Sequence, residues 1–197
     1  MESAIFGLIG VVLGAALTIA REWWFARRKE QKDLEYLAVL VVGQLDRFVG
    51  NCADVVGNDG LSDGQPDSDG YHRTQVPSPK FEPELLKVEW KALGAHLTYQ
   101  ILDLPYRIEL ANHLIANTFT YGDGPPDFRD GFRDRQLQYA ILGHDAAQLA
   151  TTLRTLAKLP HRTADEWNPI SYIDERRAEI ERERDDAQAR SDEWLQI

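Results

Sequence analysis

The sequence predicts an all-α protein: a single N-terminal transmembrane helix that continues into a cytoplasmic antiparallel helical bundle with a charged C-terminal helix. Three observations predict this class. An uncharged apolar stretch lies near the N-terminus, apolar residues elsewhere are spaced by threes and fours, and no run alternates as a β-strand does. The predicted segments are a transmembrane anchor at 1–22, a long juxtamembrane helix at 23–56, a flexible acidic loop at 57–83, a helical bundle at 84–160, and a connector with the charged helix at 161–197.

Composition excludes several classes of partner and site. The chain has 197 residues, with 22 basic and 32 acidic side chains and a net charge of −10. Binding to nucleic acid needs a surplus of lysine and arginine, so we expect no nucleic-acid partner. Cys52 is the one cysteine, which excludes an intramolecular disulfide and a cysteine-based zinc site. We expect no cofactor.

The apolar stretch runs from Ala4 to Ala20 without a charge or a proline. Its seventeen residues would span about 25 Å as a helix, the short end of what crosses a hydrocarbon core of about 30 Å. Thr18 is its only polar residue, and its hydroxyl is expected to bond within the helix. A cleaved signal peptide is the competing interpretation, but it needs a positive N-terminal region, and Glu2 is the only charged side chain there. We therefore predict an uncleaved anchor.

The residues after this stretch are typical of a membrane interface. Aromatic rings prefer the headgroup layer, and long basic side chains extend towards it. Five cations follow the stretch within a dozen residues and none precedes it, which predicts an outside N-terminus and a cytoplasmic C-terminal domain. Sixteen arginines against six lysines are typical of GC-rich bacterial or phage genomes, so the expected membrane is a bacterial inner membrane. The predicted lipid-contacting residues are Arg21, Trp23, Trp24, Arg27, Arg28 and Lys29.

Small residues inside the stretch suggest a packing face. Gly10 and Gly14 form a GxxxG pair, and Gly7 lies close to the same face. Glycines at this spacing let two membrane helices approach closely, so these residues are candidates for a homodimer contact. The alternative is a short motif without a partner.

A long helix with one buried stripe is predicted beyond the interface. No glycine or proline occurs from Ala15 to Val42, and the apolar steps then alternate between four and three. Cys52 lies on this stripe and is interpreted as a core residue. The stripe consists of Leu34, Ala38, Val41, Leu45, Phe48, Cys52 and Val55.

The segment 57–83 is rich in glycine, aspartate, serine and proline, which predicts a mobile surface loop that buries no apolar surface. A calcium-binding loop is excluded because Gln65 and Val76 stand where an EF-hand needs acidic residues.

Three helices are predicted between 84 and 160. Leu104-Pro105 is expected to end one helix and start another, since proline fits a first helical turn. In that second helix the predicted stripe is Ile108, Ala111, Leu114, Ile115, Thr118 and Phe119. The third helix is expected to bury Tyr139, Leu142, Ala146, Leu149, Leu153 and Leu156.

The C-terminal segment carries one apolar residue per heptad, at Ile173, Ile180, Ala187 and Trp194. Such a weak seam predicts a solvated helix held by Glu–Arg pairs, and a partner-binding helix is the alternative.

Catalytic motifs are absent from the sequence. There is no HExxH pair, no phosphate-binding GxxxxGK[ST] loop and no GxSxG turn. The expected function is therefore a membrane-tethered interaction or scaffold protein, with a protein partner or a second copy bound through helices. One alternative is an enzyme or metal site between helices that uses His96, His113 and His144, the first two on neighbouring helices. Another is an outward-facing phage lysis or envelope factor.

Overall fold

A computed structural model describes residues 2–161 and 167–194, with the backbone alone for 2–13, 15, 16, 191, 193 and 194. Within these residues the chain forms four α-helices and no β-strand, which confirms the all-α class and the helical bundle. Two 3-10 turns, Pro83–Leu85 and Trp90–Ala92, precede the second helix. The helices are α1 at Glu2–Val56, α2 at Ala95–Tyr121, α3 at Arg129–Leu156 and α4 at Pro169–Trp194.

The core lies mainly between α1 and α3, which run antiparallel. Arg154 near the end of α3 pairs with Asp46 of α1, and Gln136 near the start of α3 donates to the Asn58 carbonyl at 3.1 Å. The predicted α1 stripe is buried from residue 38 onward, and Cys52 is fully buried as predicted. The predicted α3 stripe is buried except for its last residue, Leu156.

Helix α2 packs antiparallel to α3 and is continuous through Pro105. Thr118 near the end of α2 donates to Asp134 near the start of α3 at 3.1 Å. Arg107, earlier in α2, pairs with Asp145, later in α3. The prediction that Leu104-Pro105 separates two helices is therefore wrong. Leu104 and Ile108 are both buried in the bundle, and this burial outweighs the hydrogen bond that the proline ring removes.

Helix α4 docks on α3 and α1 through its first half. Ile173 and Ile180 are fully buried, and His144 of α3 lies 2.7 Å from Asp174 of α4. The prediction of a wholly solvated C-terminal helix is wrong for this half, although Arg177 and Glu181 do form one of the expected pairs at 2.8 Å. From residue 184 to 190 the side chains are exposed.

The segment 57–83 follows the surface but is anchored in the core at one end. Phe81 is 4% exposed, and its ring centroid lies 6.0 Å from that of Phe48. The expectation that the segment buries no apolar surface is thus wrong, because Phe81 packs into the core although the stretch around it is polar. Its mobility stays a prediction.

The N-terminal part of α1 projects from the bundle. Residues 17–32 are exposed, and from residue 17 onward Leu37 is the first fully buried residue of the helix. Across the described residues, none of the helices combines the length and the apolar character needed to cross a membrane. The predicted anchor, with Gly7 and Gly10, lies largely outside the residues whose side chains are described. It stays a prediction.

Candidate functional site

An aromatic–basic girdle surrounds α1 where it projects from the bundle. The helix passes through this region without a break. Trp23, Trp24 and Phe25 are each more than half exposed. Clustered exposed aromatic rings are typical of a surface that meets another apolar phase or partner. The girdle comprises Arg21, Trp23, Trp24, Phe25, Arg27, Arg28 and Lys29.

The rings of the girdle point in different directions around the helix. Successive helical residues are rotated by about 100°, so Trp23, Trp24 and Phe25 together span roughly 200° of the circumference. A helix that lies flat on a membrane collects its aromatic residues on one face. The three rings therefore do not share one face of the helix.

Each ring of the girdle is paired with an arginine one turn away. The Cζ atom of Arg27 lies 4.4 Å from the Trp23 ring centroid, and that of Arg28 lies 5.3 Å from the Trp24 centroid. Arg21 lies 5.5 Å from Phe25 in the same way. Cation–π contacts at exposed sites contribute about 0.5–1 kcal/mol each. They hold the guanidinium groups beside the rings, where their remaining N–H donors are available to phosphate.

The glycine face is described only at its last member. Gly14 is exposed, and a Cβ atom built there would meet nothing within 4 Å. The Thr18 hydroxyl donates to the Gly14 carbonyl at 2.9 Å, which confirms its expected bond within the helix. Gly7 and Gly10 lie outside the described side chains, so the packing face stays a prediction.

A polar cleft of about 240 Å³ lies at the end of the bundle farthest from the girdle. Beside this cleft lies a buried network that sequence reasoning missed, and Gln136 connects the two. Arg135 is 3% exposed and donates to the Val76 carbonyl at 2.5 Å and to Asn58 Oδ1 at 3.4 Å. Burial lowers the pKa of Arg135, because removal from water disfavours the charged guanidinium. The network fastens the segment 57–83 to α3.

The charged groups on the walls of this cleft pair with one another. Arg133 donates to Glu183 at 2.6 Å, and Arg176 donates to Glu179 at 2.6 Å and to Gln136 at 3.0 Å. The guanidinium group beside Glu179 lowers the pKa of that carboxyl. The charges on the cleft walls thus balance one another. The contacts of Arg133 with Glu183 and of Arg176 with Gln136 join α3 to α4.

The histidines named as alternative site residues are not brought together. His96 and His113 are both exposed on α2, seventeen residues or about 25 Å apart, so their predicted meeting across a turn is wrong. His144 Nδ1 lies 2.7 Å from Asp174, and its Nε2 lies 2.7 Å from Gln148 Nε2. In the described part of the chain, no group of three His, Cys, Asp or Glu side chains could hold a metal ion.

Comparison with known proteins gives no relative for this chain. No protein-family model matches it, and neither a curated protein nor a solved structure does. Its function therefore has to be argued from the girdle, the bundle and the surfaces of the helices.

Proposed function

We propose that this protein is a single-pass, membrane-tethered helical interaction module of a bacterial inner membrane. The observation that carries the proposal is the continuity of α1, which leads from the apolar stretch through the girdle into the core at Leu37. A continuous helix transmits position and direction, so an anchor at one end would fix the orientation of the bundle at the other. The N-terminus lies outside and the bundle lies in the cytoplasm in this proposal, because the basic residues follow the apolar stretch.

The part of α1 between Ala20 and Leu37, which we call the stalk, sets the distance between the membrane and the bundle. Seventeen residues separate Ala20 from Leu37, or about 25 Å of helix. Lipid phosphates would contact the basic side chains of the girdle, and the aromatic rings would lie among the headgroups. The bundle would lie outside the membrane. This spacing suits a module that presents helical surfaces to protein partners.

Membrane attachment is tested by placing charges in the apolar stretch. We expect the full chain to stay in the membrane fraction at high salt and to float with vesicles. Leu8→Arg combined with Val12→Arg should release it, because a charge in the hydrocarbon core costs about 2.5–3.5 kcal/mol. The matched control is Gln31→Arg with Tyr36→Arg, which adds the same charge to exposed positions of the stalk. Release of the unaltered chain by salt, or a mature chain that begins after residue 20, would overturn the proposal.

Orientation is tested by labelling introduced cysteines in spheroplasts with a membrane-impermeant maleimide. The native Cys52 is buried and provides a silent background. Ser3→Cys should react from outside, and Gln31→Cys should react only after the membrane is opened. The opposite pattern would contradict the proposed orientation and favour an outward-facing envelope factor.

A further inference from the structure

We infer that two copies of this chain pair through the outward face of α2. Six large apolar side chains on this helix are between 43% and 84% exposed. We call them the α2 stripe: Tyr99, Leu102, Tyr106, Leu110, Leu114 and Tyr121.

The α2 stripe forms one continuous face. At about 100° per residue its six positions fall within an arc of roughly 120°, on the side of the helix opposite the residues that are buried in the bundle. Tyr99, Leu110 and Tyr121 are eleven residues apart, close to three full turns, so they stay aligned along a straight helix. Helix α2 therefore carries a second set of apolar side chains, with His113 and Asn117 between them, that the bundle does not cover.

The area of the stripe is close to what a stable dimer needs. Three tyrosines that are mostly exposed and three leucines that are nearly half exposed offer roughly 600 Å² per copy, against about 800 Å² per partner in a standard interface. Residues that flank the stripe would supply the remainder. Pairing would cover an apolar patch at the upper end of what monomers ordinarily expose, about 300–600 Å².

Charge permits a second copy as the occupant of this face. The whole chain carries a net charge of −10, so two copies repel each other over most of their surface. Within the arc of the α2 stripe, Asp103 is the only formally charged residue. This face is thus a place where two copies can approach with little repulsion.

The relative direction of the two copies rests on the proposed membrane tether. Helices α1 and α2 both run antiparallel to α3, and so they run parallel to each other. Two copies anchored in one membrane then present their α2 stripes side by side and in the same direction. A two-fold axis along the stripe brings each residue next to its own counterpart, and the shared membrane raises the effective concentration of the partner.

The interface is tested by the mass of the purified full chain in detergent, measured by sedimentation. We expect a dimer for the unaltered chain and for Leu156→Asp, and a monomer for Leu110→Asp, whose dissociation constant should rise by about 100-fold or more. The two leucines are matched, because they are 48% and 49% exposed and Leu156 lies on α3 outside the stripe. Far-ultraviolet circular dichroism and the melting temperature check that both variants fold. A monomeric unaltered chain, or a dimeric Leu110→Asp variant, would overturn the inference.

Disulfide crosslinking in membranes separates the interface from the tether. In the parallel arrangement Tyr99→Cys crosslinks with itself, and Leu110→Cys does so in either direction. An antiparallel pair would instead join Tyr99→Cys to Tyr121→Cys only when the two variants are mixed. That result would support the α2 interface but would overturn the parallel arrangement of the two copies. It would also contradict the proposed membrane tether. A dimer of the purified chain with no crosslink at any of the three positions would overturn the α2 interface itself.

Discussion

Gly143 of α3 lies where α1 and α4 both pack against α3. A Cβ atom built on it would lie 2.9 Å from Ile173 Cδ1 of α4 and 3.0 Å from the Cβ atom of Cys52 on α1. The isoleucine tip can move, but the cysteine Cβ is fixed to the backbone of α1. The missing side chain therefore sets the distance between α1 and α3.

Replacing this glycine separates close packing from helix propensity. Gly143→Ala should lower the free energy of unfolding by about 1–2 kcal/mol, because overpacking outweighs the gain in helix propensity. Gly43→Ala is the control: it lies on α1 with nothing within 4 Å of its added Cβ, and it should stabilise the protein by up to about 1 kcal/mol. Urea unfolding followed by circular dichroism measures both. Equal effects of the two changes would show that Gly143 is not tightly packed.

Burial makes Cys52 unreactive in the folded protein. Burial raises the pKa of its thiol, so the folded state favours the neutral form. The stability linked to this group is fully present below the ordinary thiol pKa of about 8.5 and is lost as the pH rises above it. At pH 8 we expect a thiol reagent to react about 100-fold more slowly with the native chain than with the urea-unfolded chain. Gly43→Cys, exposed on the same helix, supplies the fast control, and rapid labelling of native Cys52 would contradict its burial.

At the scale of elements, the sequence predicts those helices in which one apolar stripe faces the core. In α1 and α3 the predicted stripe lies in the core, although neighbouring residues such as Val49 and Ala147 are buried beside it. Helix α2 differs, since the predicted stripe groups Leu114 with Ile115, whereas Leu114 is 44% exposed and Ile115 is buried. Spacing alone cannot tell which of two apolar faces meets the bundle. In α4 the two isoleucines are too sparse to signal burial without knowledge of the neighbouring helices.

Pro105 tests how strongly tertiary packing holds α2 together. A proline inside a helix costs about 3 kcal/mol relative to alanine, and its ring lacks the donor that would bond Ile101 one turn earlier. We expect Pro105→Ala to raise the free energy of unfolding by about 1–3 kcal/mol. Chemical denaturation measures the change, and Glu109→Ala on the same helix controls for general effects of substitution. A destabilised Pro105→Ala variant would mean that the proline ring itself makes a needed contact.

The docking of α4 depends on apolar burial more than on its ion pairs. Ile180 is fully buried, so Ile180→Ala should cost about 2–5 kcal/mol. Arg177 pairs with Glu181 at an exposed i,i+4 position, and Arg177→Ala should cost less than about 0.5 kcal/mol. Urea unfolding compares the two variants. If the arginine change costs as much as the isoleucine change, the charges and not the core hold this helix.

At the scale of the whole molecule, the parts of the candidate sites that the sequence predicts are formed by residues close together in the chain. The parts that it does not predict join residues far apart in the chain. The girdle is local, since Trp23 and Arg27 are one turn apart on one helix, and the sequence alone places them together. The polar network is not local, because Arg135 reaches Val76 from another segment of the chain, and no short-range pattern marks such a pair. The proposed membrane anchor concerns the surroundings of the molecule and not a contact within it, so it is tested by membrane fractionation.

The bundle should fold independently of the projecting part of α1. Residues 17–32 are exposed, whereas Leu37, Ala38 and Val41 are fully buried. A chain that begins at residue 33 should therefore keep the helical spectrum of the bundle and a cooperative melt. A chain that begins at residue 42 loses those three core residues, at about 1.5–3 kcal/mol for each of the two larger ones, and should unfold at a much lower temperature. Thermal melts followed by circular dichroism compare the two. If the chain that begins at residue 33 already lacks a cooperative melt, the projecting part of α1 stabilises the bundle. The bundle would then not fold independently of it.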